Sequence, residues 1–119
     1  MHGELSRSQR DGLRKRLDEA VVLHETVLQL RKDLNAEEIP LPRTDDQAFE
    51  GLRASVLGLM GVWERSEPSR FSRAINRVDL TERQVNDAMA QGGLSELAGR
   101  MVLRCLQKVL IRKRFAGLG

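Results

Sequence analysis

The sequence predicts an all-α fold: a small bundle of four or five helices in one domain spanning residues 1–119. Three observations predict it. Apolar residues recur at helical spacing along most of the chain. Strand signals are nearly absent, since Tyr is missing, aromatic residues make up 3%, and no alternating β-branched run occurs. Capping residues, Pro and Gly punctuate the periodic segments. A chain of 119 residues suits a single domain. At this size it buries roughly two thirds of the surface its unfolded form exposes, so no metal or disulfide is needed to hold it together.

The first helix is predicted from about Ser8 to Leu34, after a frayed segment over residues 1–7. Leu13, Leu17, Ala20, His24, Val27 and Leu34 form one stripe, and Ala20, Leu23, Val27, Leu30 and Leu34 form a second. Together they make a face wider than a coiled-coil seam, which must be covered from two directions. Leu23, Val27, Leu30 and Leu34 are therefore the candidate dimer or partner face. Asn35 suits a left-handed stop. Residues 36–44 read as a linker, because Pro40 and Pro42 forbid a helix interior.

Thr44 with Gln47 predicts a capping box for a second helix, with Phe49, Leu52, Val56, Leu59, Met60 and Trp63 on one face. Gly51, Gly58 and Gly61 each cost about 1 kcal/mol there against Ala, which suggests close approach of another helix. Pro68 suits the first turn of a short third helix containing Phe71, Ala74, Ile75 and Val78. Thr81 with Gln84 caps a fourth, with Leu80 and Val85 as a hydrophobic staple and Ala88 and Met89 continuing the face. Gly92 and Gly93 end it. Ser95 caps a fifth helix, to about Phe115, with Leu94, Ala98, Met101, Cys105 and Val109 on one face and Leu103, Leu106 and Leu110 beside it. The long first and last helices are expected to flank the middle three.

The residues predict no catalytic site, cofactor site or metal site. Nucleophilic catalysis needs a nucleophile with a base in reach. Cys105, the one cysteine, lies on an apolar stripe and reads as a small core residue. His24 reads as a partly buried histidine or a polar register-setter at a helix seam, and His2 lies at the frayed end. Two distant histidines and one cysteine do not supply the ligands of a zinc site. The acidic pairs Glu37-Glu38 and Asp45-Asp46 belong to a solvated turn and a helix start. No glycine loop is followed by Lys-Ser/Thr or preceded by a strand, so no phosphate cradle of that kind is present.

Apolar residues are 40% and charged residues 31%, outside the disordered class. A lone cysteine fits a reducing compartment. Met1 to Gly12 holds no apolar stretch, so no secretory signal is predicted. No run approaches the roughly 18 apolar residues of a membrane span. The expectation is a cytoplasmic protein with no membrane partner and no small-molecule substrate.

The net charge of +3 is uneven: +1 over residues 1–35, −3 over 36–66, zero over 67–93 and +5 over 94–119. Arg100, Arg104, Lys108 and Arg112 recur every fourth residue of the last helix, and Lys113 and Arg114 thicken its end. Each step of four turns 40° round the helix, so the cations form a slowly winding stripe. Arg104, Lys108, Arg112, Lys113 and Arg114 are the candidate face for an anionic partner such as nucleic acid. The plainer reading is a solvated face whose cations suit a helix C-terminus. No aromatic set is interleaved for base stacking.

Arg77-Val78-Asp79-Leu80, Glu82, Leu97-Ala98, Arg104, Leu106-Gln107-Lys108-Val109 and Arg112 form a pattern that resembles small helical proteins of Bacteroidetes-type bacteria. The likeness covers about residues 71–115. It implies a bacterial helical domain and brings no activity and no functional residue. The residues point first to a non-enzymatic interaction protein that self-associates or binds a protein partner through the first helix. Nucleic-acid binding through the last helix is the alternative.

Overall fold

The computed structural model describes residues 6–116, which form five helices and no strand. They are α1 (Arg7–Arg16), α2 (Ala20–Leu34), α3 (Ala48–Ser66), α4 (Pro68–Val78) and α5 (Glu82–Ala116). The fold class is all-α, as the periodicity predicts. The expected arrangement differs. The last helix does not flank the bundle but forms its hub, packing on α3 and α2 and also meeting α1 and α4. Leu97, Ala98, Met101, Val102, Cys105, Leu106 and Val109 of α5 have no exposed surface, and Leu52, Val56 and Met60 of α3 lie equally deep. No helix of the described residues is long and apolar enough to cross a membrane.

The predicted first helix is two helices. Leu17, Asp18 and Glu19 donate their N–H groups three residues back, to Arg14, Lys15 and Arg16, at 3.0–3.1 Å. Such tight bonds end an α-helix. The turn sinks Leu17 wholly into the core, and an Arg16–Glu19 ion pair spans it on the outside. At the other end, Ser6 and Gln9 form a capping box, with each side chain accepting the other's backbone N–H. Ser6 and Arg7 are thus an ordered cap and first turn rather than a frayed end, while residues 1–5 lie outside the described residues.

Asn35 ends α2 in the left-handed conformation, as expected (φ 53°). The 36–44 segment is no loose tether. Ala36 and Ile39 are buried, and the Ile39 carbonyl accepts a bond from Arg31 Nε at 2.9 Å. The expected Thr44–Gln47 box does not form. Asp45 Oδ1 takes the Gln47 N–H at 2.8 Å and α3 starts at Ala48. Nor do the α3 glycines admit another helix. A Cβ at Gly51 would meet Pro42 of the linker, one at Gly61 the Arg65 side chain, and one at Gly58 nothing. The close helix approach is at Gly99 of α5, where a Cβ would lie 3.5 Å from Phe49 and Arg53 of α3.

Pro68 opens α4, Asp79 closes it at φ 68°, and the Thr81–Gln84 box caps α5, as the sequence indicates. The predicted fourth and fifth helices are the two halves of α5, separated at Gly93, whose φ of 70° and ψ of −150° are not helical, as the Gly92-Gly93 stop indicates. Ser95 lies already inside the helix rather than at its cap, and its hydroxyl accepts a bond from Arg53 Nη1.

Candidate functional site

The predicted partner face is core. Leu23, Val27, Leu30 and Leu34 expose 2% or less of their surface, covered by the rest of their own chain. The wide apolar face of α2 exists because this helix packs on both α4 and α5, with the linker's Ala36 and Ile39 in the same cluster. His24, expected on that stripe, is instead exposed.

The predicted basic stripe is largely engaged inside the molecule. Lys108 Nζ donates to Asp33 Oδ2 of α2 at 2.8 Å and to the Arg77 carbonyl of α4 at 2.8 Å, with Asp79 Oδ2 at 3.4 Å. Gln29 Nε2 donates to the other Asp33 oxygen at 3.0 Å, and Arg112 Nη1 donates to Gln29 Oε1 at 2.6 Å. Lys113 pairs with Glu25 at 2.7 Å and holds that carboxyl below its usual range. The stripe thus clamps the end of α5 antiparallel along α2. Arg112, bonded to the neutral Gln29, and Arg104 and Arg114 form no ion pair among the described residues; Arg104 is half-buried and the other two are exposed. Cys105 lies beneath this network, its Sγ 3.6 Å from Asp33 Oδ2. Burial, and then the Asp33 charge, push its thiol far up from the ordinary 9.0, so it stays protonated and unreactive.

A different basic surface emerges. α1 carries Arg7, Arg10, Arg14, Lys15 and Arg16 against Asp11 alone and buries none of its ten residues. Counting charge over residues 1–35 hides this, because the acids of Asp18 to Asp33 lie on α2 and its approach. A ten-residue window would have revealed it. Beside α1 lies a cleft of about 240 Å³ between α1, α3 and α5, lined by Arg10, Arg14, Arg53 and Arg100 together with Glu50, Glu96 and Ser95. Arg100 bonds Glu96 Oε2 at 2.9 Å and Asp87 Oδ2 at 3.0 Å. Burial works against its charge, but these carboxylates outweigh it and raise the guanidinium above its ordinary value. Arg53 pairs with Glu50 at 2.8 Å and bonds Ser95. Arg10 reaches Glu96 only at 3.5 Å. Arg14 meets no carboxylate among the described residues; its guanidinium lies 4.3 Å over the Phe49 ring.

Among the described residues no three His, Cys, Asp or Glu side chains are grouped to hold a metal. Comparison with family models, curated proteins and solved structures finds no match to this chain.

Proposed function

We propose that this chain is a non-enzymatic macromolecular interaction protein of the cytoplasm that engages an anionic partner through α1 and the mouth of the cleft beside it. One observation carries the reading. α1 is a helix of five cations and one acid with no fully buried residue, and it meets the core only through the half-buried Leu13 and by leading Leu17 into it. A dense cationic surface of this kind raises the local concentration of anionic macromolecules and speeds their association. Nucleic acid is the densest such partner. The reading keeps the expectation of an interaction protein and moves its surface from α2 and the end of α5 to α1.

The test is fluorescence anisotropy of labelled duplex DNA and RNA at low salt, with wild type and with Arg7→Glu/Lys15→Glu. Binding that the double variant abolishes supports the reading. No binding at low salt, or binding the variant leaves unchanged, overturns it.

A second reading, self-association, rests on Ile111 and Phe115. They sit one turn apart on α5 with 49% and 65% of their surface exposed. Sedimentation showing a dimer that Phe115→Ser dissociates would favour it.

A further inference from the structure

We propose that the cleft between α1, α3 and α5 binds a phosphate dianion, free or as the terminal monoester of a small ligand. The proposal goes beyond binding of a macromolecule and holds whether or not α1 engages one.

Charge sets the ligand class. Four guanidinium groups and two carboxylates line the cleft, and with Asp87, which pairs with Arg100 from outside the lining, the excess is one positive charge. The ion pairs say which guanidinium groups are least engaged. Arg100 is satisfied twice over, by Asp87 and Glu96, and Arg53 by Glu50. Arg10 shares an already occupied Glu96 at 3.5 Å, and Arg14 pairs with no carboxylate among the described residues. A phosphate monoester carries about −1.5 to −2 charge at neutral pH and three acceptor oxygens. Its three oxygens can accept from the Arg10 and Arg14 forks together.

Donor geometry agrees. Planar guanidinium forks suit tetrahedral oxyanions, and their bonds to such groups are the strong, charge-assisted kind. Arg14 is held over Phe49, so its fork is oriented before a ligand arrives and less side-chain freedom is lost on binding. Ser95 offers a hydroxyl at the cleft wall, already bonded to Arg53. The second half of α5 begins beside it, immediately after the Gly93 break, and adds its positive end. A smaller hollow of about 150 Å³ shares Arg14 and Glu50 with the cleft and is lined also by Lys15, Asp18, Asp46 and Phe49, so the ester substituent that lies there is one with hydrogen-bond donors for those carboxylates.

The experiment is a titration of the full chain, isotope-labelled, with inorganic phosphate and separately with adenosine 5′-monophosphate. Ionic strength is held constant with chloride, and the amide signals of Gly92, Ser95 and Gly99 are followed. The expected result is saturable movement of those signals. Arg14→Ala should weaken binding about tenfold or more, the loss of one charge-assisted contact, while Arg104→Ala, outside the cleft, leaves it unchanged. If Arg14→Ala loses helical structure, Arg10→Ala takes its place. Saturation by phosphate and the ester alike assigns a monoester site, and saturation by phosphate alone assigns free phosphate. Non-saturating drift, or an Arg14→Ala affinity equal to wild type, overturns the proposal. Phosphate binding without duplex binding would refute the function proposed above and leave this one standing.

Discussion

Lys108 shows how a surface-looking cation becomes structural. Its ammonium and the Asp33 carboxylate have side chains only 16% and 9% exposed. Removing one partner of such a pair leaves the other charge buried and uncompensated, at a cost of roughly 3 kcal/mol or more. Lys108→Met should therefore lower the urea midpoint substantially. Adding Asp33→Leu should recover part of the loss, because two apolar groups replace two charges. A midpoint unmoved by Lys108→Met would show that the pair is solvated. Cys105 gives a pH prediction. Its thiol pKa is raised in the fold, first by burial and then by Asp33. The fold thus binds the thiol proton more tightly than the unfolded chain, so its contribution is complete below the ordinary 9.0 and declines as pH rises above it. Wild type should lose stability above that pH more steeply than Cys105→Ala, and the native thiol should resist alkylation until the protein unfolds. The sequence shows the every-fourth-residue cations but not their partners. Asp33 lies 75 residues before Lys108, and only the packing of α2 on α5 brings them together.

At the scale of elements, local chemistry foretells some boundaries and not others. Thr81–Gln84 and Thr44–Gln47 carry the same capping chemistry, yet only the first forms its box, since Asp45 captures the Gln47 N–H. The break between α1 and α2 escapes periodicity because Leu13, Leu17, Ala20 and Leu23 keep helical spacing straight through it. What decides the turn is Leu17 reaching the core, a tertiary effect. Gly93 was legible as a stop, and its positive φ with an extended ψ is a region that L side chains avoid. Gly93→Ala should cost about 1–3 kcal/mol. Gly58→Ala, in a helix interior with open space around the added carbon, should instead stabilise by about 0.5–1 kcal/mol. Thermal melts of the two variants moving in the same direction would contradict this assignment.

For the whole molecule, the all-helical class is plain in the sequence, because periodicity survives any arrangement of the helices. Which helix sits at the centre is not. α2 and α5 are both apolar over wide faces, and such a face reads the same whether it meets its own bundle or a second subunit. The structure resolves this within one chain: α5 is surrounded, and the α2 face closes on it and on α4. With that face occupied and Lys108 and Lys113 of α5 paired with α2, the densest run of cations lies on α1 and at the adjoining cleft, where the apolar periodicity merges α1 with α2 and hides it. The most direct test of that relocation is the salt dependence of duplex binding. Each phosphate neutralised contributes a slope of about −0.9 in log K against log salt. Arg7→Glu and Lys15→Glu should each flatten the slope by about one, while Lys113→Glu, on the α5 stripe paired with Glu25, leaves it unaltered. A slope that responds to Lys113 and ignores α1 would contradict it.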